Sequence, residues 1–129
     1  MARLIVLDAS VAIAALAADD AHHDAAVAAL ASASDDELVL AATTRAEILV
    51  GPARVGSKAL AAAQDFVDGC ETVPISAAIA DDAAASRARH QGLSLPDAIA
   101  LMVAEMIDAD AVWTFDRRWR DVHPRITIP

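Results

Sequence analysis

Leu4-Ile5-Val6-Leu7-Asp8-Ala9-Ser10 is the stretch that decides the fold. Four consecutive apolar residues leave no polar face, the pattern of a strand covered on both sides in a parallel sheet flanked by helices. The run ends in a carboxylate, and Val11 to Ala18 then reads as a helix. Ligands of open α/β sheets bind in the crevice beyond the carboxyl ends of the strands, which is where this reading puts Asp8. The same position suits a helix cap, with Asp8 or Ser10 accepting a free backbone N–H. Acids recurring in equivalent settings would decide between the two.

Outward from that strand, apolar runs alternate with helical patterns. Asp19-Asp20 break the first helix, and Ala21 to Ser34 reads as a second, with Val27 and Leu30 facing inward. Glu37 to Ala42 is a second strand. Thr43-Thr44 open a helix over Arg45–Val50 that Gly51-Pro52 should stop. Another helix runs from Ser57 to Asp68, and Glu71 to Ser76 resembles a third strand whose Pro74 suits a sheet edge. Ser76 caps a long Ala-rich helix ending at Gln91-Gly92. Pro96 then starts a helix over Asp97–Asp108, apolar on nearly every side and therefore buried against the sheet or a partner subunit. Ala111 to Phe115 is a fourth strand, Arg117 to Asp121 a short turn or helix, and Arg125 to Ile128 a last strand. Strands alternating with helices are the α/β signature, and 129 residues without repeats or linkers make one domain, 1–129.

Composition narrows the function. A net charge of −9 disfavours a general nucleic-acid coat, which would be basic. It leaves room for an enzyme that meets nucleic acid through a bound cation. The single cysteine, Cys70, cannot form an internal disulfide and reads as inert, which fits a reducing cytoplasm. No apolar run approaches the roughly 18 residues of a membrane span. No Cys/His set has zinc spacing, and no Gly-rich phosphate loop appears.

Four acids stand just beyond a strand end or in the first turn of a helix. Each has a local alternative. Thr44-x-x-Glu47 and Ser94-x-x-Asp97 both match a capping box, and Asp116 could cap the segment after Phe115. Taken together they imply more, because the carboxyl ends of parallel strands share one edge. Four carboxylates gathered there would raise one another's pKa, a cost that a divalent cation reverses. A pocket of carboxylates without His or Cys favours Mg²⁺ or Mn²⁺ over zinc.

Leu7-Asp8-Ala9-Ser10, Arg45-Ala46-Glu47, Leu95-Pro96-Asp97-Ala98-Ile99-Ala100 and Thr114-Phe115-Asp116 resemble, in order and spacing, the motifs of PIN-domain nucleases. The small VapC-type toxins are the most similar members, and the resemblance spans essentially the whole chain. It implies a three-layer α/β/α domain with a mostly parallel central sheet. It also implies that Asp8, Glu47, Asp97 and Asp116 gather Mg²⁺ or Mn²⁺ to hydrolyse RNA, with the Ser10 hydroxyl in support. On that basis Asp8 and Asp97 hold the metal directly, while Glu47 and Asp116 act through water or hold a second ion. Thr114 orients Asp116, and Arg117, Arg118 and Arg120 are assigned to substrate phosphate, with a solvated turn as the alternative. Many relatives carry a further acid beside the fourth, where this chain has Arg117 and Arg118, so the number of metals stays open. The resemblance further implies a homodimer and a cognate antitoxin of the VapB kind.

Rival readings fail on particular residues. A receiver domain needs a Lys near its last strand, and the only Lys is Lys58. A haloacid-dehalogenase-type phosphatase needs Asp-x-Asp where this chain has Asp8-Ala-Ser10, and a metal-dependent adhesion module needs a hydroxyl at Ala12. His22 and His23 adjoin on a helix, face different directions and read as solvated. His90 and His123 lack a partner for metal-free acid–base cleavage. Trp113 reads as core, while Trp119 is open. A non-catalytic PIN fold that binds RNA or protein remains the alternative function.

Overall fold

A computed structural model describes residues 1–129. Five parallel strands form one sheet in the order β3-β2-β1-β4-β5: β1 (Leu4–Leu7), β2 (Glu37–Ala41), β3 (Glu71–Val73), β4 (Ala111–Trp113) and β5 (Ile126–Thr127). Six helices pack around it: α1 (Ala9–Leu16), α2 (His23–Ser32), α3 (Ala42–Val55), α4 (Ser57–Asp68), α5 (Ala77–Arg89) and α6 (Leu95–Met106). The architecture is the three-layer α/β/α sandwich expected from alternating elements. None of the helices is long and apolar enough to cross a membrane.

The opening strand is buried on both faces because its side chains alternate between two cores. Ile5 and Leu7 join Leu40, Trp113 and Phe115 beneath α1, α2 and α3. Val6 points the other way, into a core with Val39, Val112, Trp119 and the apolar residues of α6. β1 is the middle strand, with β2 and β3 on one side and β4 and β5 on the other. The strand order therefore reverses at β1, and Asp8 follows it at the switch point where such sheets open a ligand crevice.

Several local expectations are corrected. Gly51-Pro52 do not stop α3, which starts three residues earlier than expected and runs on to Val55. Proline disfavours a helix interior, but α3 packs against α4 and α1, and such tertiary packing overrides local propensity. The helix ends at Gly56, whose φ of 149° is a conformation that side chains rarely tolerate. Val27 is exposed; the buried residue of α2 is Ala26, with Ala29 and Leu30 partly packed beside it. β3 is an edge strand as Pro74 suggests, although the strand closes at Val73. The apolar girth of α6 is consumed by the protein's own core, through Ala98, Ile99, Ala100, Leu101, Val103 and Ala104. It therefore supplies no argument for a subunit contact.

Candidate active site

Asp8 is buried and held by hydroxyl groups. It occupies the N-cap position of α1, yet its side chain makes no capping bond. Instead its Oδ2 accepts two hydroxyl hydrogen bonds, from Ser10 Oγ at 2.7 Å and from Thr114 Oγ1 at 2.8 Å. Each hydroxyl in turn accepts a backbone N–H from the segment after β4. Phe115 N–H donates to Ser10 Oγ and Asp116 N–H to Thr114 Oγ1, both at 3.0 Å. A hydroxyl has one proton to give, and both protons go to the same Asp8 oxygen. The network fixes the carboxylate against β4 and leaves Oδ1 outside these bonds. Thr114 thus reaches the backbone of Asp116 rather than its side chain.

Glu47 lies in the second turn of α3, so the capping-box alternative does not apply. The N-cap is Ala41, and no side chain caps the helix. Glu47 makes no hydrogen bond or ion pair of its own, and its pKa is raised above the ordinary glutamate value. Burial of part of the side chain is the largest cause, followed by the charges of Asp8 and then Asp97. Asp97 does form the expected capping box with Ser94: its N–H donates to Ser94 Oγ at 3.2 Å, and its Oδ2 accepts from Ser94 N–H at 3.3 Å. Burial nevertheless raises its pKa, against the opposing Ser94 bonds, and the charges of Asp8 and Asp116 push in the same direction. Parallel pairing of β1 with β4 puts Asp8 beside the segment that carries Asp116, and Thr114 bridges the Asp8 carboxylate to the Asp116 backbone. No three of the chain's Asp, Glu, His or Cys side chains are drawn into a finished ligand set.

Asp116 behaves differently. It caps the short 3₁₀ turn Arg117–Trp119, accepting from Arg118 N–H at 3.0 Å. Both its oxygens are also gripped by the Arg118 guanidinium, at 2.6 to 3.2 Å. That grip is the main reason its pKa is lowered. Asp97 also acts on Arg118, so this guanidinium is the positive charge already standing among the acids. Arg117 and Arg120 remain exposed on the same turn. Trp119 is buried in the second core. Its indole N–H lies near enough to help lower Asp116 but makes no well-formed hydrogen bond.

Two further contacts escape a reading of the sequence. His22 is not merely solvated: its ring stacks on Phe115, with centroids 4.5 Å apart and planes 5° from parallel. The adjacent His23 turns back to bond the Ala14 carbonyl through Nδ1 at 2.8 Å. No local pattern joins residues so far apart in the chain. Beside the acids runs an apolar groove of about 410 Å³, lined by Ile13, Leu16, Ile48, Pro52 and Val55, with Glu47 on its wall. Cys70 lies apart from this edge; burial pushes its thiol up to about 11, which makes it a poor nucleophile.

The sequence profile described as "PIN domain" matches residues 5–123, a span that includes all four acids. The chain belongs to the PIN-domain family. Solved structures share the fold of this PIN domain over nearly its whole length. Mycobacterium tuberculosis VapC20, a sarcin–ricin-loop-cleaving toxin, is 23% identical, with a TM-score of 0.77 over 92% of each chain. A toxin–antitoxin complex from Klebsiella pneumoniae gives 21% identity and a TM-score of 0.80 over 97% of each. FitAcB from Neisseria gonorrhoeae gives 21% and 0.75, again over 97% of each chain. No match was found among curated proteins.

The raised pKa of Glu47 makes a prediction about stability. The folded state holds this proton more tightly than the unfolded chain, so Glu47 costs stability as pH rises above about 4.5, its ordinary value. Glu47→Gln removes that cost. Because the side chain remains open to solvent, the gain at pH 7 is small, roughly 1–2 °C in Tm without divalent ions. At pH 4 the two proteins should melt together. Thermal unfolding in chelator at both pH values measures this; a variant less stable at pH 7 would contradict the assignment.

Proposed function

We propose that this PIN domain is a Mg²⁺- or Mn²⁺-dependent endoribonuclease, the toxin of a toxin–antitoxin pair. The observation that carries the reading is geometric: Asp8, at the end of β1, is tied by the Ser10 and Thr114 hydroxyls to the segment that bears Asp116, and the charge of Asp8 helps raise Glu47 and Asp97. The donor set suits the ion: all four offer oxygen, and two are held above their ordinary pKa by burial and like charge, a condition that a cation relieves. Asp8 and Asp97 would hold it directly, and Glu47 and Asp116 through water or around a second ion. When bound, the cation lowers the pKa of a water and offsets charge on the phosphoryl oxygens.

The protein's own groups do the rest. Ser10 and Thr114 hold the Asp8 carboxylate in one orientation. Arg118 leaves Asp116 when that acid is required, and its charge is then available to the substrate. Arg117 and Arg120 meet flanking phosphates. The products expected are a 5′-phosphate and a 3′-hydroxyl. In support of the toxin reading, the structural neighbours include a cleaving toxin and a toxin–antitoxin complex. The apolar groove beside Glu47 suits an antitoxin segment, and an acidic crevice suits basic residues in its tail. A homodimer and a cytoplasmic location complete the proposal.

The direct test is incubation of purified protein with RNA in Mg²⁺, Mn²⁺ or chelator. Cutting in either metal and none in chelator supports the reading, and cutting that survives chelation contradicts it. The salt bridge from Arg118 to Asp116 favours a second reading, a PIN fold that binds without cutting, because that acid is already neutralised by the chain itself. Binding without cleavage in every metal would select it.

The arginines give a separate prediction. If Arg117 and Arg120 each meet one phosphate, Arg117→Ala with Arg120→Ala flattens the salt dependence of RNA affinity. The slope of log affinity against log salt should fall by roughly 1.4, at about 0.7 per phosphate on a single strand. An unchanged slope would assign both to a solvated turn.

A further inference from the structure

His22 is the only aromatic or imidazole ring of the protein that is exposed. Trp113, Phe115 and Trp119 are buried, Phe66, His23, His90 and His123 are half-buried, and there is no tyrosine. The exposed ring is also fixed. Its own backbone N–H donates to Asp20 Oδ1 at 2.8 Å, and the next residue is bonded to Ala14. The imidazole lies almost parallel on Phe115, and Phe115 sits between the two residues that carry the crevice, Thr114 and Asp116. Phe115 N–H donates to the Ser10 hydroxyl that grips Asp8. The stack is therefore tied through its backbone to the carboxylate network.

We propose that the His22 ring, backed by Phe115, is the platform on which a base of single-stranded RNA stacks while its phosphodiester lies at the acids. This rests on the nuclease reading and adds a substrate contact to it. A flat ring supported from beneath loses little freedom when a base is laid on it. Stacking tolerates any base, because every base has a π-face. The acidic edge repels the phosphates of an incoming strand, so a contact to the base rather than to the phosphate is where affinity can be gained. The platform selects unpaired RNA, since a base inside a duplex is already stacked.

The test uses the full chain carrying Asp97→Asn to prevent cutting, with fluorescence anisotropy of a labelled single-stranded RNA in Mg²⁺. His22→Ala should bind roughly 5- to 100-fold more weakly, while His22→Phe, which keeps a ring, stays within about threefold of the parent. An RNA made abasic at the stacked position should bind His22→Ala and parent equally. A role confined to covering Phe115 would lower the melting temperature of His22→Ala and leave RNA affinity unchanged, which overturns the proposal. It is equally overturned if Phe binds as weakly as Ala, if no abasic position abolishes the difference, or if the parent binds no RNA. Cleavage by the otherwise unmodified chain is read separately. Cutting with His22-independent binding sinks the platform alone, whereas His22-dependent binding without cutting in any metal sinks the nuclease reading alone.

Discussion

Asp8→Asn is expected to yield a folded protein whose RNA cleavage is roughly 10²- to 10³-fold slower or undetectable. The expectation comes from what the substitution keeps. The Asp8 oxygen that accepts from Ser10 and Thr114 has an equivalent in the carbonyl oxygen of an asparagine amide, so the hydroxyl network and its two backbone N–H bonds can persist. What disappears is the negative charge and the oxygen left outside the network, the features a divalent ion needs. The melting temperature without metal should stay the same or rise, because one charge that presses on Glu47 and Asp97 is gone. Added Mg²⁺ should no longer stabilise the variant, whereas the parent gains about 2.7 kcal/mol at a hundredfold excess over its dissociation constant. Gel assays of RNA cleavage beside melting curves with and without Mg²⁺ read both effects. Near-parental cleavage by a folded Asp8→Asn would remove Asp8 from the chemistry.

The second large effect concerns the fold. Trp119→Ala should cost about 3–5 kcal/mol, the usual range for emptying a large buried site. Trp119 is 1% exposed and shares a core with Val6, Ile99, Leu101, Val103 and Val112, residues of the central strands and α6. Domains of this size have about 5–15 kcal/mol in total, so the variant should melt roughly 10–25 °C lower and lose activity with its fold. Trp119→Phe should cost far less, about 1–2 kcal/mol, because most of the packing remains and the lost indole N–H had no well-formed partner. Differential scanning calorimetry of the two variants checks the order. A Trp119→Ala protein within about 2 °C of the parent would show that this ring does not carry the second core.

How much was legible in the sequence depends on which forces are local. The opening strand and Asp8 could be read directly, since an unbroken apolar run that ends in an acid is a local pattern. α4 and α6 were legible for the same reason, α6 through the Ser94-Pro96-Asp97 start signal. Glu47 was harder. Thr44-x-x-Glu47 imitates a capping box, but β2 passes straight into α3 at Ala41, and the helix is under way before Thr44 can cap it. Asp97 does form the capping box with Ser94, yet the charges of Asp8 and Asp116 also act on it, which no local pattern can express. The grip of Arg118 on Asp116 and the stack of His22 on Phe115 depend on side-chain direction and tertiary packing. Helix geometry read His22 as solvated because nothing in the sequence brings Phe115 to it.

The central claim is that acids from four segments make one cation site. A crystal grown or soaked with Mn²⁺, with anomalous differences measured at the manganese edge, tests it most directly. The predicted result is a peak in direct contact with at least two of Asp8, Glu47, Asp97 and Asp116, with the Arg118 side chain turned away from Asp116. A crystal at saturating Mn²⁺ with no peak at any of the four, from protein that still cuts RNA in that metal, would contradict it.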